Sequence, residues 1–309
     1  MTNFACAIAV GPNPQELDRV ADLIDSLGAY EPGPWRIVMV DDSGIDRSLA
    51  TLFDLPRGCS AVSVLHARPE ESIHYRRGKG ICSAVLTAFA HIARNVAEAR
   101  FALKMDSDAL IIAPFSEKIA GVIERNRDVG MLGAYTRTPN GEPRDFSAHA
   151  STLQAIYRPK GLLARFRPSP IRRHIRTAID NGYRFAEQCI GGAYAVSDEF
   201  LRRMLAAGYL DNPMLWVTAD CPEDVMVGMY TKAVGLRHMD FVGAGEAFGV
   251  RHQGLPDIPQ RLLERGFSVI HSIKNDPRMN EAEIREFFRA HRRAGLTTGN
   301  GGTRGHHDD

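Results

Sequence analysis

The sequence predicts an α/β fold: a mostly parallel sheet with helices on both faces. Three observations predict it. The first half of the 309-residue chain alternates strand-like and helix-like segments. The first strand-like segment, Phe4 to Val10, is a continuous apolar run, as in sheets covered on both sides. Two acidic clusters, at 41–42 and 106–108, fall at strand ends, where ligands gather in such sheets.

The elements follow in order. Phe4 to Val10 reads as a buried strand. In Gly11-Pro12-Asn13-Pro14, Asn13 suits a helix N-cap, Pro14 the first turn, and Glu16 the capping-box acid. Leu17, Val20, Ala21, Ile24 and Leu27 keep helical spacing, and Gly28 is placed to end that helix. Arg36 to Asp41 and Ala61 to His66 read as the second and third strands. Ile81 to Ala99 reads as a helix with Ile81, Val85, Ala88, Phe89 and Ile92 on one face. Phe101 to Met105 is the fourth strand and Asp128 to Tyr135 the fifth. Thr136 to Gly182 shows no clear period. Within it Arg158, Lys160, Arg165, Arg167, Arg172, Arg173 and Arg176 come with no acid between them. Order returns with a strand at Cys189 to Val196 and helices at Asp198 to Ala207 and Pro222 to Val234. Strands follow at Met239 to Val242, Ala247 to His252 and Ser268 to His271, then a charged helix from Asn280 to Arg293. Residues 1–295 form one domain, and 296–309 read as a disordered tail.

Composition removes several classes. The net charge of +1 leaves no footprint for nucleic acid, and none is expected as a partner. No apolar run reaches the roughly 20 residues of a membrane-spanning helix. No basic region precedes the first apolar stretch, so a cytoplasmic location is expected rather than secretion. The five cysteines form no C-x-x-C pair and read as free thiols.

The candidate chemistry is acidic. Asp106-Ser107-Asp108 follows an apolar strand, and residues two apart in an extended segment point the same way. Two such carboxylates suit a hard divalent cation, Mg²⁺ or Mn²⁺, shared with a diphosphate. A solvated surface turn is the other reading of the triplet. Asp41 and Asp42 either hold a ribose or base, or make an Asx-type turn with Ser43 and Gly44. Arg76-Arg77-Gly78-Lys79-Gly80, before a helix, suits a phosphate or is a basic loop. Gly191-Gly192 marks either a close ligand approach or a bulge. Glu223-Asp224 opens a helix, as dipole partners or as a general base for an acceptor hydroxyl. His252 and His271 are both candidates for a third metal ligand, with His271 the better placed.

In this order the motifs resemble the GT-A glycosyltransferases, the family 2-like members above all. Val40-Asp41-Asp42-Ser43-Gly44-Ile45-Asp46 is similar to that family's V-D-D-G-S-x-D, with Ser and Gly exchanged. Asp106-Ser107-Asp108 matches its D-x-D, and Glu223-Asp224 its E-D. The resemblance spans about residues 4 to 275 and implies a GT-A-type, Rossmann-like sheet. It implies a nucleotide-binding half at about 1–135 and an acceptor-side half at about 136–295 that carries the Arg-rich insertion. It implies a nucleoside-diphosphate sugar donor, UDP- or GDP-type, against Gly11, Asn13, Asp41, Asp42, Lys79, Asp106, Gly191 and Gly192. It further implies a metal on Asp106, Asp108 and His271, and an inverting transfer with Asp224 as base beside Glu223. The acceptor is not implied. The run 158–176 suits contact with an anionic membrane at the inner face, or a solvated lid. A nucleotidyltransferase and a catalytically idle nucleotide- or carbohydrate-binding protein are the alternatives. The missing G-x-G-x-x-G argues against a dinucleotide oxidoreductase.

Overall fold

The computed structural model describes residues 3–43, 49–51, 54–66, 79–159, 168–217, 219 and 221–299. Its strands are β1 (Phe4–Val10), β2 (Trp35–Asp41), β3 (Cys59–His66), β4 (Phe101–Met105), β5 (Leu110–Ile111), β6 (Val129–Gly133), β7 (Ala193–Ser197), β8 (Arg237–Asp240), β9 (Phe248–Val250) and β10 (Val269–His271). The helices are α1 (Gln15–Tyr30), α2 (Lys79–Asn95), α3 (Ser116–Arg125), α4 (Ser147–Tyr157), α5 (Pro170–Asp180), α6 (Asp198–Ala206), α7 (Glu223–Ala233), α8 (Pro259–Glu264) and α9 (Glu281–Gly299).

The seven-stranded main sheet runs β3-β2-β1-β4-β7-β6-β8. Every neighbouring pair is parallel except those of β7, which is antiparallel to β4 and β6. The mostly parallel sheet expected from the sequence is present. Alternation along β1 shows why both faces are covered. Phe4, Cys6, Ile8 and Val10 pack with Val20, Leu23 and Leu27 of α1, while Ala5 and Ala7 pack with Val85 and Phe89 of α2. A small sheet, β5-β10-β9, stands beside the end of β4. It brings residue 271 back to the triplet at 106–108.

The C-terminal helix is clamped onto the first. Buried Asp22 of α1 accepts hydrogen bonds from Arg285 at 2.7 Å, Arg289 at 3.1 Å and Arg292 at 2.6 Å. Arg19 adds a two-point pair with Glu281 at 2.7 and 2.8 Å. Burial opposes ionisation of Asp22, but the guanidinium groups outweigh it and hold its pKa below the usual range.

Several expectations need correction. Helix α1 runs through Gly28 to Tyr30. Gly28 is instead a close-approach site, where a Cβ would lie 2.9 Å from the Cβ of Pro56. The segment at 189–196 becomes a strand only at Ala193. The stretch read as lacking a period contains α4 and α5. In α5 the buried Ile171, Ile175 and Ala178 form the inward stripe, and Arg173 and Arg176 are exposed. Lys160, Arg165 and Arg167, the Arg76–Gly78 loop, Gly44 and the end of the tail lie outside the described residues. Within them, no helix is long and apolar enough to cross a membrane, and all five cysteines are buried and free.

Candidate active site

The triplet sits at the carboxyl end of β4, in a turn closed by Ala109 N–H donating to the Asp106 carbonyl at 3.0 Å. The extended geometry expected of it is absent, because β4 stops at Met105. Nor is the turn solvated: Asp108 is fully buried and Ser107 nearly so. Ser107 Oγ donates to Glu16 of α1, which fixes the centre of the turn.

Asp106, Asp108 and His271 converge, with one ligand atom from each within 4.8 Å of the others, so this cluster could hold a metal. His271 Nε2 lies 3.2 Å from Asp108 Oδ1 and 3.6 Å from Asp106 Oδ2. Its other nitrogen, Nδ1, lies 2.7 Å from the Arg251 carbonyl and must carry hydrogen to donate there. In the neutral ring this leaves Nε2 with a lone pair pointing at a carboxylate. Two acceptors face each other, and a cation or a proton must lie between them. Burial disfavours the imidazolium, but the hydrogen bond and charge of Asp108, with Asp106, raise the His271 pKa. On Asp108 the roles of the two oxygens are divided. Oδ2 accepts from Ser272 Oγ at 2.5 Å and faces Lys274 Nζ at 3.3 Å, whereas the buried Oδ1 faces His271 Nε2 at 3.2 Å. Burial opposes its charge, yet His271, Lys274 and Ser272 hold Asp108 far below the ordinary carboxylate range. An oxygen-and-imidazole set of this kind fits a divalent cation.

The glycine pair has a steric explanation. A Cβ on Gly192 would lie 1.9 Å from His271 Nδ1, and one on Gly191 would lie 2.9 Å from Glu223 Oε2 and 3.2 Å from Asp224 Cγ. Both glycines therefore let other parts of the site approach the backbone. Gly191 N–H donates to Asp224 Oδ2 at 3.1 Å, and Gly192 carbonyl accepts from Asp106 N–H at 2.9 Å.

Glu223 and Asp224 are buried in the first turn of α7. Glu223 Oε1 accepts from Tyr194 OH at 2.6 Å and lies 3.3 Å from Lys104 Nζ. Burial, with Asp224 and Asp106 nearby, pushes the Glu223 pKa up to about 7 against the pull of Lys104. Lys104, fully buried in β4, also donates to Asp106 Oδ1 at 2.6 Å and to the Gly191 carbonyl. Burial opposes its charge, but the surrounding carboxylates keep the ammonium well above its ordinary pKa. Lys104 thus couples the triplet, the glycine pair and the Glu223-Asp224 pair. Sequence reasoning missed it; the available signal was a lysine inside an otherwise apolar strand that is buried on both faces.

The remaining candidates lie on the other side of the sheet's midpoint. Asp41 ends β2, and its Oδ1 accepts from Ser43 N–H at 2.9 Å, an Asx-type turn. Asp42 N–H donates to the Val10 carbonyl at 2.9 Å, which sets it beside Gly11. Asn13 Oδ1 accepts from Gln15 N–H at 3.0 Å and caps α1. Lys79 begins α2, and its side chain lies outside the described residues. Toward β7 and β6 two cavities flank Arg144. One of about 470 Å³ is lined by Arg251, His252, His149 and Gln188, and one of about 430 Å³ by Tyr135, Phe146 and Phe185. His252 faces the first cavity and is not among the clustered metal-ligand candidates.

No family model matches the chain, and no curated protein sequence does. Solved structures do match. Among them is the apo structure of WbbM, a bifunctional glycosyltransferase, with a TM-score of 0.47 and 10% identity. The match covers 89% of this chain and 46% of that one, so this chain spans about half the length of the other.

Proposed function

We propose that the chain is a metal-dependent glycosyltransferase that moves a sugar from a nucleoside-diphosphate sugar to an acceptor hydroxyl. The observation that carries this reading is the convergence of Asp106, Asp108 and His271 at the end of β4, beside Gly191-Gly192 and Asp224. A buried carboxylate oxygen 3.2 Å from an imidazole nitrogen, with a second carboxylate 3.6 Å from the same nitrogen, supports a cation site. The strand order supports a division of labour. β1 and β2, with Gly11, Asp41 and Asp42, lie on one side of β4, and the cavities near β7 and β6 lie on the other.

A divalent ion held by Asp106, Asp108 and His271 would neutralise charge on a departing diphosphate. The chain's own groups do the rest. Asp41 and Asp42, beside Gly11 and Asn13, hold the nucleoside, UDP- or GDP-type. Asp224, oriented by Gly191 N–H, accepts the proton of the acceptor hydroxyl. That oxygen forms a bond to the anomeric carbon as the carbon–phosphate-oxygen bond breaks, and the diphosphate leaves with the electron pair. Direct attack inverts the configuration. Glu223 positions the site through Lys104 and Tyr194, with no contact to the reacting atoms required of it.

The test is a melting assay with nucleoside diphosphates, with and without Mn²⁺. Ligand at about a hundred times its Kd should add about 2.7 kcal/mol. Stabilisation that requires Mn²⁺ and vanishes in Asp108→Ala is expected, along with loss of transfer but retained nucleotide binding in Asp224→Asn. Metal-dependent binding with neither donor hydrolysis nor transfer would point to an idle binding protein. No metal-dependent stabilisation by any nucleoside diphosphate overturns the reading.

A further inference from the structure

The cavity of about 470 Å³ beside the glycine pair has a charge pattern that the donor and metal sites do not use. Its wall includes Gln188 and Ile190, just before Gly191, and Arg251, whose carbonyl holds His271. The cavity wall is therefore built from segments that run into the candidate reaction centre. His252, also on this wall, lies within electrostatic reach of Asp224, Arg144 and His271.

Two arginines and two histidines line it: Arg144, His149, Arg251 and His252. Arg144 is anchored by Nη1 donating to the carbonyls of Ala134 at 2.6 Å, Tyr135 at 2.8 Å and Gln188 at 2.6 Å. Those partners fix the guanidinium without cancelling its charge. Asp145 is the one carboxylate on the wall, and it is engaged by Ser147, through N–H at 2.8 Å and Oγ at 2.6 Å. Among the described residues, no hydrogen bond or ion pair engages the side chains of Arg251, His149 or His252. Two guanidinium groups and two imidazoles around a concave space of ligand size, with one carboxylate on the wall that Ser147 engages, are complementary to an anion.

We infer that this cavity is an anion subsite, and that the acceptor of the proposed transfer carries a carboxylate or phosphate group held by Arg144 and Arg251 with His149 and His252. The assignment to the acceptor rests on the glycosyltransferase reading; the anion site itself does not. Arg144 supplies the fixed charge, and Arg251 closes over the anion from the segment that also holds His271. A neutral hydroxylated molecule would leave both guanidinium groups without a charged partner.

The test uses protein with ¹³C-labelled histidine in EDTA, titrated separately with D-glucuronate, inorganic phosphate and D-glucose. Saturable movement of the His149 and His252 resonances with either anion, and not with glucose, is expected; the tighter of the two anions names the class. Arg251→Gln should weaken that binding about tenfold, the loss of one charge-assisted hydrogen bond. Equal movement with glucose, no movement with either anion, or unchanged affinity in Arg251→Gln overturns the inference. Mn²⁺-dependent nucleoside diphosphate binding is measured on the parent protein and reports the donor site alone. If that binding persists while the cavity is silent, the subsite falls and the donor reading stands. If the cavity binds anions but the parent protein binds no nucleoside diphosphate, the anion site stands and its assignment to an acceptor falls.

Discussion

Replacing Gly192 with alanine tests the metal centre without touching any of its ligands. The added methyl would lie 1.9 Å from His271 Nδ1 and 2.2 Å from its Cγ and Cε1, inside any permitted contact distance. The obstacle is a ring and not the end of a flexible chain. His271 must therefore give up its bond to the Arg251 carbonyl or β7 must retreat from the triplet. Overpacking of this kind costs about 1–3 kcal/mol. At about 2–4 °C per kcal/mol, the melting temperature should fall by several degrees. Disturbing a group that orients a metal-binding histidine weakens affinity about 10–100-fold. Calorimetric titration with Mn²⁺, beside circular dichroism to establish that the sheet is intact, measures both effects. A folded Gly192→Ala protein that binds Mn²⁺ as tightly as the parent would refute the placement of His271 in the site.

Three further outcomes are expected. Lys104→Met removes the cation shared by Asp106 and Glu223, and breaking such a buried pair should cost about 3–5 kcal/mol by urea titration. Asp22→Asn removes the buried carboxylate shared by Arg285 and Arg292, which keep Glu281 and Asp25; a smaller loss is expected, with protease cleavage near α9 as a second readout. Burial, aided by Lys232, lowers the pKa of His238 to about 3, so the folded state holds it neutral. Its unfolded pKa is near 6.5. The stability it supports is thus complete above about pH 6.5 and is lost as the pH falls toward 3, at about 1.4 kcal/mol per unit. His238→Gln should flatten the urea midpoint between pH 7 and 4, and an unchanged slope would remove His238 as the cause.

The parts of the fold legible in the sequence were those whose signal is local. β1 is an uninterrupted apolar run and β2 and β4 are apolar but for Arg36 and Lys104, and each ends close to where the run ends. α5 escaped notice because its inward stripe of Ile171, Ile175 and Ala178 is embedded in arginines, so charge density hid the period. The candidate site divides along the same line. Asp106, Asp108, Gly191, Gly192, Glu223, Asp224 and His271 were each readable as short motifs, and the chain brings them together. Lys104, Tyr194, Ser272 and the Arg251 carbonyl were not, since each acts through a partner distant in sequence. The role of the glycine pair also changed. Its small size serves the approach of His271 and Asp224, a requirement visible only in three dimensions.

The route by which His271 reaches the triplet bears on how the protein is made. Asp106 and Asp108 emerge from the ribosome early, together with the strands that carry them. His271 and Ser272 follow only after α3 to α8, and Glu281, which steadies Arg19 and through it Glu16 and Ser107, comes later still. A nascent chain halted before residue 271 can build β1 to β4 but offers a cation two carboxylates and no imidazole. The full set of Asp106, Asp108 and His271 is therefore complete only late in synthesis, after every strand of the main sheet has been made.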